Sequence, residues 1–233
     1  METMMIEMKQ VTKRYGKSDG LFDISWRMNQ KGLAGIIGPN GSGKTTLLKL
    51  IAGLLRPTQG TVTVGGRIVD RTIAGQVAYL SELDSLYGFQ TIRQAIRFHE
   101  QTIESFRAEK AMEMTNELAL PLDKKIKTLS KGNRAKVKII LTLAREVPIL
   151  VMDEPLSGLD PIVREDILNM IIRYLDVERQ LGLISTHEVT EVEPFLDYVM
   201  FLNRGSIMLE GETDHLREKY GKSVVELMRE VLV

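Results

Sequence analysis

The sequence has no cysteine among its 233 residues. That absence removes any disulfide framework, thiol nucleophile or thiolate metal site, and it suits a reducing compartment, most simply the cytosol. There is no excess charge of either sign: 31 Lys and Arg face 31 Asp and Glu, so no global field gathers nucleic acid or an anionic bilayer, and no nucleic-acid partner is expected. Long apolar runs are also missing, since stretches such as Pro148 to Met152 fall far short of the roughly 20 residues of a membrane-spanning helix. Residues 1–11 scatter acids among methionines and lack the basic start and apolar stretch of a signal peptide. No repeat or low-complexity linker interrupts the chain. What remains is a composition of 43% hydrophobic and 27% charged residues, the balance of a globular chain that buries a core.

Short extended segments dominate the first third: Met5 to Val11, Leu21 to Met28 and Leu33 to Ile37, separated by turn-rich sequence at Tyr15 to Gly20 and at Lys31-Gly32. A helix is expected from Lys44 to Leu54, followed by β-rich stretches at Gly60 to Val69 and Val77 to Leu80. Thr91 to Arg145 reads as a long helical arm, broken near Leu120-Pro121 and at Ser130-Lys131-Gly132. Beyond it, apolar strands at Pro148 to Met152, Leu181 to Ser185 and Tyr198 to Leu202 enclose a helix at Ile162 to Leu175. Buried strands alternating with helices predict an α/β fold with a mainly parallel sheet. Ser206 to Glu210 and helical patterns near Thr213 to Lys219 and Val224 to Val231 close the chain.

Gly38-Pro39-Asn40-Gly41-Ser42-Gly43-Lys44-Thr45 fits the phosphate-loop pattern G-x-x-x-x-G-K-[ST], and it sits between a predicted strand and a predicted helix, as that loop requires. Glycines let backbone N–H groups turn toward phosphate oxygens at a helix N-terminus. Lys44 is the expected partner of the β- and γ-phosphates, and Thr45 the expected hydroxyl ligand of Mg2+; Thr46 completes the loop.

Ile149 to Met152 leads into Asp153-Glu154, which sets two carboxylates at the C-terminal end of a buried strand, the edge where open α/β sheets bind ligands. Alone, such a pair usually marks a solvated strand end. Beside a phosphate loop, Asp153 reads as a Mg2+ ligand through water and Glu154 as the group that activates or orients an attacking water. His187 follows another apolar strand at the same edge and is the candidate to hold that glutamate and the γ-phosphate in register. His99 and His215 lie in helical stretches with no such neighbours and read as structural or surface residues.

The remaining motifs resemble those of ATP-binding-cassette (ABC) ATPases. Leu129-Ser130-Lys131-Gly132-Asn133 is similar to the family signature L-S-G-G-Q, Ser157-Gly158-Leu159-Asp160 to its D-loop, Ser185-Thr186-His187-Glu188 to its switch-histidine segment, and Arg14-Tyr15-Gly16 to the aromatic loop on which adenine stacks. Ala78-Tyr79-Leu80-Ser81-Glu82 aligns with the Q-loop, with Glu82 where glutamine is usual. These motifs occur in family order over nearly the whole chain. Two departures stand out. Glu82 can still ligate Mg2+ or orient water, at the expense of a full negative charge near the γ-phosphate. Lys131 replaces a signature glycine, and its ammonium has two open courses, contact with phosphate or exposure to solvent.

The resemblance implies a P-loop NTPase cassette: a single domain over 1–233, with 1–87 and 147–233 forming a RecA-like core plus an antiparallel β subdomain, and 88–146 an inserted helical subdomain that carries the signature. It implies an ATP- and Mg2+-dependent ATPase. Two cassettes, as a homodimer or heterodimer, would sandwich nucleotide between one chain's phosphate loop and Ser130, Gly132 and Asn133 of the other. It also implies an integral membrane ABC permease partner at the cytoplasmic face of the cell membrane, as in small bacterial exporters, with Leu86, Tyr87 and Phe89 as apolar anchors for it if exposed, a core role being the alternative for each. The rival classes are a soluble ABC ATPase acting on nucleic acid or ribosomes and a nucleotide-gated module without turnover. Long coiled coils or a second cassette would favour the first. Loss of Lys44, Asp153, Glu154 or His187 would favour the second. The sequence has none of these features.

Overall fold

The structure is a computed structural model that describes residues 5–16 and 18–232. The sequence expectations for residues 1–4, and for Lys17 within the expected turn, fall outside those residues. Strands β1 (Ile6–Tyr15), β2 (Ser18–Met28), β4 (Gln59–Val64) and β5 (Arg67–Ile68) form an antiparallel sheet in the order β2-β1-β4-β5. Strands β3 (Gly32–Ile37), β6 (Val77–Leu80), β7 (Ile149–Asp153), β8 (Leu181–Thr186), β9 (Tyr198–Asn203) and β10 (Ser206–Glu212) form a second sheet in the order β10-β9-β3-β8-β7-β6. Every pairing in it is parallel except β9 with β10. The α/β class expected from the sequence is the class observed.

Strands β3, β7 and β8 are buried along their full length, because both faces of the parallel sheet are covered. Alternation along a strand sends neighbours to opposite faces. Leu150 and Met152 join the helical side of the core, whereas Ile149 and Val151 join the side built from the antiparallel sheet and α1 (Lys44–Ile51). The helical side is supplied mainly by α2 (Ile92–Thr102), α3 (Ala108–Glu117), α4 (Lys131–Leu143) and α5 (Pro161–Tyr174). After it come the short α6 (Val189–Val192), then α7 (Thr213–Tyr220) and α8 (Val224–Val231).

Four expectations need correction. Helix α1 stops at Ile51 rather than Leu54, because Gly53 takes φ +69° and a Cβ there would stand 2.2 Å from the Asp70 carbonyl oxygen. Tyr15 and Ser18 are paired strand residues rather than part of a longer turn. The helical arm has an unanticipated break between α2 and α3, where the chain extends so that Phe106 can enter the core at 4% exposure. The break read at Ser130-Lys131-Gly132 narrows to Ser130, because Lys131 and Gly132 already belong to the helix expected after the signature: Ser130 is its N-cap, accepting the Asn133 amide at 3.2 Å.

Phe201, on β9 beside β3, is fully buried in the helical-side core. Phe201→Ala is expected to lower the unfolding free energy by about 3–5 kcal/mol through lost transfer energy and the cavity left behind. Urea unfolding of the two chains measures the difference.

Candidate functional site

Strand β3 ends at Ile37, and the chain then turns through 38–43 into α1. Two glycines make this path possible. A Cβ on Gly38 would lie 2.2 Å from the Leu202 carbonyl oxygen, and one on Gly43, at φ +107°, would lie 2.5 Å from that of Gly20. The loop therefore passes between two other backbones where no side chain fits. It is pinned by Ser42 N to Pro39 O at 3.1 Å and by Gly205 N to Ser42 O at 2.9 Å. Lys44 Nζ donates back to Gly38 O at 2.8 Å and to Pro39 O at 3.3 Å. Ser42 Oγ is buried and has no hydrogen-bond partner among the described residues. A buried hydroxyl rarely lacks a partner, so this orphan fits a loop built to receive an acceptor such as phosphate.

An open groove of about 530 Å³ lies over the loop, bordered by Tyr15, Asn40, Gly41, Thr46, Glu82 and His187 among others. Tyr15 leaves 46% of its surface exposed at one end of it, with its hydroxyl 3.4 Å from Thr46 Oγ1. A half-exposed ring at that position offers a stacking face.

Beneath the groove, Asp153 is 1% exposed. Its Oδ1 accepts from Thr45 Oγ1 and from Ser185 Oγ, each at 2.9 Å, and its Oδ2 accepts from the Tyr79 hydroxyl at 2.8 Å. Burial raises the Tyr79 phenol and the adjacent Asp153 charge raises it further, so the group remains a donor at neutral pH. Three hydroxyls from α1, β8 and β6 thus hold one carboxylate. Sequence reasoning missed Tyr79 and Ser185 in this role. The only signal lay in strand register, where Ser185 pairs with Asp153 and Tyr79 with Val151 two residues before it.

Glu154 has φ +46°, uncommon for a residue with a side chain. Its amide donates to Ser185 Oγ at 2.9 Å, which helps fix this conformation. The side chain bridges two groups: Oε1 faces Lys44 Nζ at 3.1 Å and Oε2 lies 2.9 Å from His187 Nδ1. The first contact is a charge pair aligned too poorly for a hydrogen bond, since Oε1 lacks a bonded partner. Because a carboxylate only accepts, His187 carries its proton on Nδ1. The segment after His187 is tied down by Arg164, which bonds the Glu188 carboxylate and Glu191 Oε1.

The groove brings Tyr15, the loop residues, Glu82, Glu154 and His187 together, with Asp153 directly below. It does not include Ser130, Gly132 or Asn133, which stand at the start of α4. Lys131 takes the second of its open courses within this chain, since it is exposed, and its ammonium also donates to Gly158 O at 2.7 Å. His99 is half-buried, its Nδ1 2.8 Å from Ala95 O, and burial keeps it neutral by lowering its pKa. His215 is exposed on α7.

Thr45, Asp153 and Glu82 supply hydroxyl and carboxylate oxygens, the hard donors that Mg2+ takes. No cluster of three or more acidic, histidine or cysteine side chains among the described residues makes a cage for a metal. That donor set fits a cation that keeps waters and shares phosphate oxygens rather than one held by protein alone.

Residues 21–157 match the family described as "ABC transporter". An uncharacterized ABC transporter ATP-binding protein of Methanocaldococcus jannaschii is 32% identical over 219 residues, covering 92% of this chain and 80% of that protein. A lantibiotic transport ATP-binding protein of Streptococcus pyogenes is 28% identical over 233 residues, covering 95% and 98% of the two chains. A solved structure described as the ATP binding subunit of an ABC transporter superposes with a TM-score of 0.85 at 26% identity, covering 97% of this chain and 99% of that one.

The hydroxyl of Tyr79 donates to a buried charge, and such bonds contribute more than neutral ones. Tyr79→Phe is expected to destabilise the chain by about 1.5–3 kcal/mol at neutral pH. Denaturant titration reads the loss.

Proposed function

The chain belongs to the ABC transporter family as an ATP-binding, ATP-hydrolysing subunit, and on that premise we propose that it is the motor of an exporter whose membrane-spanning part is a separate protein. The observation that carries this reading is Glu154, held at the end of β7 between Lys44 and His187 and next to the buried Asp153.

ATP enters the groove with its adenine against Tyr15 and its phosphates on the amides of 38–46. The γ-phosphate draws Lys44 away from Glu154, because a polyanion outcompetes one carboxylate for the ammonium. Glu154 is then free to orient and deprotonate an attacking water. His187 keeps Glu154 aligned through Nδ1 and leaves Nε2 as the ring's second polar atom for the phosphate. Thr45 and Asp153 would hold Mg2+, with Glu82 as a further carboxylate from the loop after β6. A Mg2+ ion held by them would supply positive charge against the charge developing on the phosphate oxygens.

Ser130, Gly132 and Asn133 are absent from the chain's own groove, which supports their acting on the nucleotide of a second cassette, identical or different. Ser130 takes up the Asn133 amide as cap, and its own hydroxyl proton and the remaining first-turn amides of α4 are the donors an anion would meet. The helical arm 88–146 works as a subdomain of the single domain 1–233. Loss of the γ-phosphate on hydrolysis would remove the ligand shared by the two chains and open the dimer.

No described helix is long and apolar enough to cross a membrane, so attachment at the cytoplasmic face of the membrane is proposed to come from the permease. Leu83, Tyr87 and Phe89 are 74%, 54% and 70% exposed, and the Tyr87 and Phe89 rings lie 5.7 Å apart. This apolar patch is the proposed docking surface. Leu86 is partly buried and packs inward instead, and Arg93 is engaged with Asp123 at 2.8 Å. The export direction draws on the resemblance of the sequence to the ATPase subunits of small bacterial exporters, and the relative named for lantibiotic transport supports transport itself.

Glu154→Gln is expected to lower ATP turnover by about 100-fold or more while preserving Mg2+-dependent ATP binding, and Lys44→Ala to lose binding itself. Steady-state phosphate release and equilibrium binding of a fluorescent ATP analogue test this, and undiminished turnover by Glu154→Gln removes it as the water-activating group. The double substitution Tyr87→Glu with Phe89→Glu is expected to abolish co-purification with the membrane subunit and leave ATP binding intact.

A further inference from the structure

Helix α4 begins at the signature and carries basic residues at 131, 134 and 138, a spacing that aligns them along one side of a helix. All three reach core loops. Lys131 Nζ donates to Gly158 O at 2.7 Å. Arg134 Nε pairs with Asp84 Oδ2 at 2.9 Å. Lys138 Nζ donates to two successive carbonyls, Glu82 O at 3.1 Å and Leu83 O at 2.9 Å. A cleft of about 410 Å³ separates α4 from these loops, with the three cations on one side and Glu82, Asp84 and Glu154 across it.

We propose that Lys138 is a positioning residue that ties the Glu82 loop to the signature helix, so that contact with nucleotide at Glu82 moves Ser130, Gly132 and Asn133 of the same chain. This deepens the functional reading above and rests on it.

The three ties differ in strength. The Arg134–Asp84 pair has side chains 31% and 51% exposed, where screening and side-chain entropy leave little net contribution. The half-buried Lys138 ammonium makes charge-assisted bonds to backbone rather than to a mobile carboxylate. Holding consecutive carbonyls specifies the direction of the loop as well as its position. Lys138 and Ser130 are eight residues apart, about 12 Å along an α-helix. A capped helix of 13 residues without an internal break carries a displacement over that span as a rigid rod. The Lys131 tie brings the D-loop carbonyl of Gly158 into the same assembly at the other end.

The test is hydrogen–deuterium exchange on the whole chain with Mg2+ and a non-hydrolysable ATP analogue, under conditions that light scattering verifies as monomeric. In the parent chain, nucleotide should protect 38–46, 82–86 and 129–135 together. Lys138→Met keeps the apolar stem and suits a helix. It should retain protection at 38–46 and 82–86, while nucleotide-dependent protection at 129–135 falls by about five-fold. Lys138→Arg, which keeps a cationic donor, should restore most of it. Equal protection at 129–135 in Lys138→Met and the parent overturns the proposal. Loss at 38–46 as well in that variant also overturns it, since that marks general loosening instead of a broken tie. A parent chain with no protection at 38–46 overturns the nucleotide reading itself, and the tie falls with it.

Discussion

A carboxylate nearly sealed from solvent at the end of β7 organises this molecule. Removing a charge from water is costly unless hydrogen bonds compensate, and Asp153 obtains them from Thr45, Ser185 and Tyr79. Those hydroxyls come from α1, β8 and β6, so one charge draws three separate elements to one point. The sheet order puts β7 between β6 and β8, which makes this convergence possible. The phosphate loop on β3 is brought alongside by its parallel pairing with β8.

The next residue uses that rigidity. Glu154 sits in a backbone conformation that costs energy for a side-chain-bearing residue, and such strain persists only where surroundings over-determine it. The Ser185 hydroxyl serves both neighbours, donating to Asp153 and accepting from the Glu154 amide. The carboxylate of Glu154 is then suspended between Lys44 and His187. With side chains only 6% and 9% exposed, Lys44 and Glu154 attract one another in a weakly screened setting. That attraction holds Glu154 against the loop, and a phosphate polyanion is the kind of competitor able to dissolve it.

The chain's two sets of ligand-ready groups face different places. The groove collects the loop, the acidic strand end and His187, whereas the capped start of α4 stands outside it. In the proposed reading, that second set of groups serves the nucleotide of a second copy or a related cassette. The basic side of α4 links the two sets internally, since Lys131 and Lys138 grip the D-loop and the Glu82 loop through backbone carbonyls.

Much of the architecture was legible because its causes are local. Apolar runs at 148–152 and 181–185 announced strands covered on both faces, and the glycine spacing of 38–45 announced a loop that turns amides inward. The sequence also placed Glu154 and His187 at strand ends on one edge and made the histidine the candidate to hold the glutamate. Misread points had non-local causes. Helix α1 ends early because Gly53 passes close to Asp70, and the break before α3 exists because Phe106 finds a place in the core. The sequence by itself determined the fold class, the phosphate loop and the family motifs, since strand alternation and glycine geometry act within a few residues. Only the tertiary structure decided that Tyr79 and Ser185 hold Asp153 and that Lys131 and Lys138 bind backbone carbonyls. Those contacts join residues 74, 32, 27 and 56 positions apart, and which distant partner a hydroxyl or an ammonium meets depends on packing that no local pattern encodes.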